Sequence, residues 1–349
     1  MADVAEVRCG LIGYGAWGAH HARAIRETAE AELVAIAVPS AESRKRAAEE
    51  NPSASIYDSY DTMLKSESLD LVNIVIPSHL HHEAALAVLN SGCHLLLEKP
   101  MALTTAECDD LIRTARQRDR LIGVGHELRM SALWGRVKQV IDEGGIGDPL
   151  HCLIELWRRP YRQGSSGWRY DIDRVGNWVL EEPIHFFDLA RWYFSAAGEP
   201  RTVFAMANGR QPGHPELHDN FSAMVSFPQG RYAVINQTLA AWEHHQTAKV
   251  TGTTGALWAR WSGAMDRTFH PTFSLQLQKG DAGEEVAIDS PTGEVYELVD
   301  EVRMMVRAVR GLSSVASDAN DGWWSVAMCQ AAQTSLETGQ PVELKERPA

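Results

Sequence analysis

The chain has no C-x-x-C pair. Its five cysteines (Cys9, Cys93, Cys108, Cys152, Cys329) are scattered along 349 residues. That spacing argues against a thiolate zinc site and fits reduced thiols. No apolar run reaches the ~20 residues that a membrane helix needs. The opening Met1-Ala2-Asp3-Val4-Ala5-Glu6 has no basic region and no apolar core, so no export signal is read and a cytoplasmic location is expected. Positive charge is in deficit: 33 Lys and Arg against 46 Asp and Glu leave a net charge of -13. Nucleic acid is therefore a poor partner, although local arginines can still hold a small anion. There is no internal repeat. What remains is ordinary globular composition, 44% apolar and 23% charged, at a length that suits two domains.

The most informative stretch lies near the start. Residues 7–12 read as a short buried strand. Gly13-Tyr14-Gly15-Ala16-Trp17-Gly18 follows, then a helix through Ala19-His20-His21-Ala22-Arg23-Ala24-Ile25. A dinucleotide site needs that order. The first glycine permits a sharp turn, the second lets backbone approach a pyrophosphate, and the third lets the helix pack on the strand. The chain is therefore expected to bind a nicotinamide dinucleotide.

The first third continues this alternation. Strands are expected over 33–38, 71–76, 94–97 and 121–124, with helices over 43–50 and 84–89. Thr104 and Glu107 form a capping box for a further helix with Cys108, Leu111, Ile112 and Ala115 on one face. The pattern predicts an α/β fold with an N-terminal Rossmann domain, a doubly wound parallel sheet. After about residue 130 it changes. A helix is expected over 133–142. Residues 273–278 alternate with period two, and 222–227 and 231–238 flank Pro228-Gln229-Gly230 as a hairpin. These features predict a C-terminal α+β domain with a large, mostly antiparallel open sheet. The expected division is 1–128 for the dinucleotide and 129–349 for substrate binding and oligomerisation, as a homodimer or homotetramer through the sheet. Residues 281–285 read as a polar loop or turn, and 345–349 as a frayed tail.

Two loops stand at the carboxyl ends of parallel strands, where open α/β sheets bind ligands. One is Pro77-Ser78-His79-Leu80-His81-His82-Glu83 and the other Glu98-Lys99-Pro100. Pro100 disfavours the helical region for Lys99 and holds it extended. The plainer readings are a solvated lysine at Lys99 and a capping or surface histidine at His81.

Taken in order, these residues resemble the glucose–fructose oxidoreductase / inositol dehydrogenase (Gfo/Idh/MocA) family. Gly125 through Arg129, Gly144-Gly145-Ile146-Gly147, Trp168-Arg169, Gly252-Thr253-Thr254-Gly255, and Asp321-Gly322 to Gly339-Gln340-Pro341-Val342 extend the resemblance over nearly the whole chain. It implies an NAD(P)-dependent oxidoreductase acting on a secondary hydroxyl of a sugar, sugar derivative or polyol. It also implies that Lys99 lies near the reacting carbon, orients the substrate hydroxyl and assists proton movement.

The family further implies an Asp-x-x-x-His element. Here Glu181 stands for the aspartate, Pro183 for a usual glycine, and His185 for the histidine. A neutral imidazole suits a carbinol proton, so His185 is the candidate base, against a plain buried helix histidine. Glu181 either orients His185 or contacts substrate. Pro183 fits the first helical turn, which puts Glu181 just outside it. A cation shared by Glu181, His185 and His126 is the metal reading; with 14 histidines such pairs arise by chance, and no metal is expected.

The stretch Trp157-Arg158-Arg159-Pro160-Tyr161-Arg162 follows a strand, and Gly164 to Gly167 suggest a mobile loop. Indole faces suit sugar C–H surfaces and arginines suit anions. Candidate substrate contacts are His126, Arg158, Arg162, Trp168, Arg169 and Glu182, which leaves an anionic sugar open beside a solvated strand end. Candidate cofactor contacts are Gly13 to Gly18, Ser40, Arg44, Lys45, Pro77, His81, Glu98 and Lys99. The usual acid for a free ribose hydroxyl is replaced by Val38. Ser40, Arg44 and Lys45 suit a 2′-phosphate, so the expectation is NADP over NAD; Glu42 remains a rival partner for the hydroxyl. Two further readings stay open. One is a glycoside-cleaving or lyase-type enzyme that restores its cofactor, with Glu182 as extra acid. The other is a non-catalytic sensor.

Overall fold

The computed structural model describes residues 6–160, 164–209, 213–214, 216–265 and 267–347. They fall into two compact units, Met1–Glu127 with Leu298–Trp323, and Leu128–Glu297 with Trp324–Ala349.

The first unit holds a six-stranded parallel sheet. Its strands are β1 (Val7–Ile12), β2 (Ala31–Ala37), β3 (Ser55–Tyr57), β4 (Leu71–Ile74), β5 (His94–Glu98) and β6 (Ile122–Gly125). Their order is β3-β2-β1-β4-β5-β6, which is the doubly wound arrangement read from the alternation. Helices α1 (Ala16–Glu27), α2 (Ala41–Glu50), α3 (Tyr60–Ser66), α4 (His81–Asn90) and α5 (Thr105–Arg118) connect them. All four residues of β4 are buried, as expected of a strand covered on both faces. The capping box opens α5: Glu107 N–H donates to Thr104 Oγ1 at 3.2 Å, and Thr104 N–H donates to Glu107 Oε2 at 3.0 Å.

β3 and α3 were not expected, because three and seven residues are too few to show a clear period. The return of Leu298–Trp323 is a second addition. Leu298, Val302, Met305 and Val306 pack with Leu11, Ile25, Ile36 and Leu71 in one buried cluster. The sequence boundary at 128/129 followed a change of pattern, and a pattern does not say which core an amphipathic helix joins.

The second unit is built on α6 (Trp134–Asp142), β7 (Pro149–Trp157), α7 (Ile172–Val175), α8 (Trp178–Glu181), α9 (Pro183–Tyr193), β8 (Thr202–Asn208), β9 (Asn220–Ser226), β10 (Tyr232–Thr238), β11 (His244–Gly252), β12 (Ala256–Gly263), β13 (Thr272–Lys279) and β14 (Ala282–Val286). Helices α10 (Glu294–Val309) and α11 (Ala319–Thr338) contribute to both units, and β15 (Val342–Glu343) closes the second. The nine strands run β14-β13-β12-β11-β7-β10-β9-β8-β15, and only the β7–β10 pair is parallel. One correction arises at the edge. Residues 281–285, read as a polar loop or turn, supply most of β14, which pairs antiparallel with β13. Its Glu284 and Glu285 are exposed. Charge of that kind hides an edge strand from a sequence pattern and protects it from further pairing.

The sheet has two unlike faces. Cys152, Ile154 and Leu156 of β7, Ala233 and Ile235 of β10, and Ala248 and Val250 of β11 are buried, and α9 packs against β7 and β10. On the opposite face Phe204, Met224, Val234, Leu153, Lys249 and Trp258 lie side by side in register across six strands. Phe204, Met206, Met224 and Trp258 are exposed. Among the described residues no helix is long and apolar enough to cross a membrane.

Candidate active site

Gly13 has φ +98°, and a Cβ there would lie 2.1 Å from the Val75 carbonyl oxygen. Only glycine makes that turn. A Cβ at Gly18 would lie 2.3 Å from Gly13 O, so α1 sits hard on the turn that starts it. Gly15 differs: nothing lies within 4 Å of its would-be Cβ. It is also the N-cap of α1, with no side chain capping the helix. The turn is thus closed where it packs and open where the helix presents its first N–H groups. A dinucleotide pyrophosphate fits such an opening.

The side chain of Tyr14 points away from this opening into the core. Its hydroxyl donates to Glu50 at 2.5 Å and accepts from Asn51 at 2.8 Å. Arg46 of α2, which sequence reading missed, donates to the Tyr14 carbonyl at 2.6 Å and lies over the Tyr14 ring. Ser40 caps α2, accepting from Ser43 N–H at 3.3 Å. Arg44 donates to the carbonyls of Val38 and Pro39 at 3.2 and 2.5 Å, at the end of β2. Lys45 is exposed and pairs with Glu49 at 3.9 Å.

The loops after β4 and β5 are clasped together. His81 is buried, with Nδ1 2.7 Å from the Pro100 carbonyl and Nε2 2.9 Å from the Ile76 carbonyl. Burial pushes its imidazole below the ordinary value, although both carbonyls oppose that shift. Pro77 opens a 3-10 turn over Ser78–Leu80 beside it. Lys99 is half-buried, and its peptide bond to Pro100 is cis. Glu98 accepts from the Trp17 indole at 2.6 Å and from His21 Nε2 at 2.8 Å. The glycine turn and the lysine loop are therefore bonded to each other.

The second unit holds the other candidate residues. Asn177 caps α8, accepting from Leu180 N–H at 2.9 Å. Glu181 ends α8, and Pro183 stands in the first turn of α9, as expected. Arg169 Nε donates to Glu181 Oε1 at 2.5 Å, and Arg158 donates to Glu182 Oε2 at 2.9 Å. Of the arginines expected to suit an anion, Arg158 is thus engaged by a carboxylate and Arg159 donates to the Trp242 carbonyl, while Arg169, a candidate substrate contact, is held by Glu181. His185 is buried, its backbone N–H donating to the Glu182 carbonyl at 3.1 Å. Trp168 and Arg169 stack at 4.9 Å in the 3-10 turn Ser165–Tyr170. His126 is buried in the first unit. Arg162 lies outside the described residues. Among those described, no three metal-binding side chains gather.

Sequence reading also missed the anchor of α9. Arg129 donates to both carboxylate oxygens of Asp188, Nε at 2.7 Å and Nη2 at 2.6 Å, with its guanidinium over Trp192. Both partners are buried, and Asp188 lies one turn beyond His185. Arg129 closes the stretch Gly125 to Arg129 and Asp188 lies three residues past His185, but 59 positions separate them.

Residues 7–126 match the family described as "Oxidoreductase family, NAD-binding Rossmann fold", and residues 134–258 match the GFO/IDH/MocA C-terminal domain. The chain is 26% identical over 325 residues to 1,5-anhydro-D-fructose reductase of Ensifer adhaerens, covering 92% of this chain and 93% of that relative. It is 25% identical over 345 residues to myo-inositol 2-dehydrogenase of Thermotoga maritima, covering 97% and 99%. A solved levoglucosan dehydrogenase, in complex with NADH and L-sorbose, shares the fold at TM-score 0.86 and 20% identity over 99% of this chain and 100% of its own.

The buried Arg129–Asp188 pair gives a stability test. Asp188→Ala removes the bidentate carboxylate from a buried guanidinium, and the expected loss is about 3–5 kcal/mol. Denaturant unfolding checks it, and a loss below about 1 kcal/mol would mean that water reaches Arg129.

Proposed function

The chain belongs to the Gfo/Idh/MocA oxidoreductase family, and on that premise we propose that it transfers hydride between a nicotinamide dinucleotide and a secondary hydroxyl of a sugar, sugar derivative or polyol. One observation carries this reading. Trp17, on the helix that starts at the glycine turn, bonds Glu98 at 2.6 Å, and Lys99 is the next residue. A cationic side chain is thereby tied to the dinucleotide loop. The names of the Ensifer and Thermotoga relatives support the substrate class.

The first unit takes the cofactor and the second the substrate. The Gly13–Gly18 turn receives the pyrophosphate on the first N–H groups of α1. A bound NAD(P) supplies the hydride acceptor or donor at its nicotinamide ring. The Lys99 ammonium holds the substrate oxygen and stabilises the charge that develops on it. His185 takes the proton in oxidation and returns it in reduction. The Glu181–Arg169 and Glu182–Arg158 pairs add little net charge near His185, the carboxylates accepting and the guanidiniums donating. Hydroxyls donate and accept, so this arrangement suits a neutral polyhydroxylated substrate better than an anion. It also disfavours redox-neutral cleavage, because Glu182 is engaged by Arg158. Arg44 at the end of β2 favours NADP, by donating to a 2′-phosphate. The exposed sheet face with Phe204, Met206, Met224 and Trp258 makes the homo-oligomer.

A panel of neutral and anionic sugars and polyols, with NAD and NADP, tests the reaction. Reduced cofactor and oxidised product should accumulate one to one; product without net reduced cofactor would favour cleavage. Lys99→Met and His185→Ala should each lower turnover by ~10²–10⁴-fold, with dinucleotide binding largely kept in His185→Ala. Normal turnover in His185→Ala at every pH would remove it from the chemistry. Arg44→Ala should weaken NADP far more than NAD, and equal weakening would end the phosphate role. Met206→Glu with Met224→Glu should shift sedimentation toward the monomer, and an unchanged oligomer would place the interface elsewhere.

A further inference from the structure

Trp17 and His21 stand one turn apart on the same face of α1, with rings 5.8 Å apart and nearly perpendicular at 83°. Both aim a nitrogen at a single atom, Oε1 of Glu98. The other imidazole nitrogen, Nδ1, faces the Asn73 amide nitrogen of β4 at 3.2 Å. An amide nitrogen only donates, so Nδ1 accepts and the ring proton sits on Nε2. The donors therefore run one way, from Asn73 to His21 to Glu98.

The site is shaped for this. Gly125 lies opposite Glu98 on the neighbouring strand, and a Cβ there would stand 3.1 Å from Oε2. His21 is 1% exposed, Asn73 0% and Glu98 9%. A helix face that needed only to fill space would carry an apolar residue at 21, as it does at Ala22, Ala24 and Ile25. Buried polar networks are tolerated when satisfied, but they are seldom the most stable filling. What this one holds is the end of β5, and Lys99 is the next residue.

We propose that His21 is a positioning residue for the Glu98–Lys99–Pro100 turn: its Nε2–H locks the Glu98 carboxylate onto the Trp17 indole and so sets the backbone that presents Lys99. The proposal rests on the reading of Lys99 as the group that meets the substrate oxygen.

Electrostatics agree. Burial alone would push the Glu98 carboxyl up. Hydrogen bonds from His21 and Trp17, with the charge of Lys99, outweigh burial and hold it below the ordinary value. The titratable groups facing Glu98 are His21 on α1, Lys99 on its own turn and His81 on α4. The sign follows. Without the His21 donor, desolvation is less opposed and Glu98 takes up a proton at higher pH.

The experiment compares wild type, His21→Gln and His21→Leu, each with and without Trp17→Phe, so that the Trp17 emission is obtained by difference. Gln keeps an N–H near the Nε2 position and Leu keeps only bulk. If the Leu variant does not fold, His21→Asn, polar but too short to reach Glu98, takes its place. The pH midpoint of the Trp17 signal should rise by about one unit or more in His21→Leu and stay near wild type in His21→Gln. An unchanged midpoint in His21→Leu overturns the proposal. With a polyol that the wild type oxidises, kcat should fall ~10-fold or more in His21→Leu, with KM moving less, and recover largely in His21→Gln. Equal loss in both variants, or loss in neither, also overturns it. If the wild type oxidises no member of the panel, the functional reading fails, and the fluorescence midpoint alone decides the role of His21.

Discussion

The main chain at Gly13 passes directly beneath the Val75 carbonyl, and much of the first unit depends on that passage. β1 and β4 are neighbours, with Ile12 opposite Ile74, so a chain leaving β1 has to turn under the end of β4. A side chain would forbid the turn. With the turn made, Gly18 seats α1 against Gly13, and the phase of the helix is fixed. Positions 17 and 21 then face the end of β5, where Glu98 stands. Moving the helix start by one residue would rotate that face by about 100° and leave the carboxylate with no donors from α1.

The second unit solves a different problem. It buries or half-buries three arginines near α8 and α9, and each meets a carboxylate. The Arg129–Asp188 pair is the deepest and is bidentate, which fixes orientation as well as charge. Pairs of this kind add little net stability compared with apolar filling, yet losing one partner is severe. Their value lies in direction: α9 cannot slide or turn without separating Asp188 from Arg129, so His185 is held one turn away. With Arg158 and Arg169 as partners, the two glutamates that precede His185 add almost no net charge near the candidate base.

Much of this was legible in the sequence. Buried runs gave β1, β2 and β4, the Thr104–Glu107 box gave the start of α5, and Pro228-Gln229-Gly230 gave a hairpin. The glycine turn starts α1, the lysine loop follows β5 and His185 lies on a helix, as their neighbours in sequence implied. Partners were harder to read. Nothing at Arg158 or Arg169 says that Glu182 and Glu181 will occupy them, because their separations of 24 and 12 residues carry no local pattern. His21 was read only as part of the helix after the glycine turn, since its acceptor lies 77 residues away. A signal did exist: Asn73 is a lone amide inside the apolar strand Leu71–Ile74, and a buried amide needs a partner. The strand β14 stayed hidden because edge charge imitates a loop.

The return of Leu298–Trp323 to the first unit also governs the order of synthesis. The ribosome releases residues up to Glu127 with one apolar wall of their core missing, and Leu298 follows about 170 residues later. At ~5–20 residues per second that interval is roughly 10–35 s. During it the faces of Leu11, Ile25, Ile36 and Leu71 lack Val302, Met305 and Val306. The second unit, whose core apart from α11 and β15 lies between these segments, is translated in the meantime. Residues up to Glu127 thus emerge before the second unit and gain their last apolar wall only after most of it, so the unit read first along the sequence is not the first that can close its core.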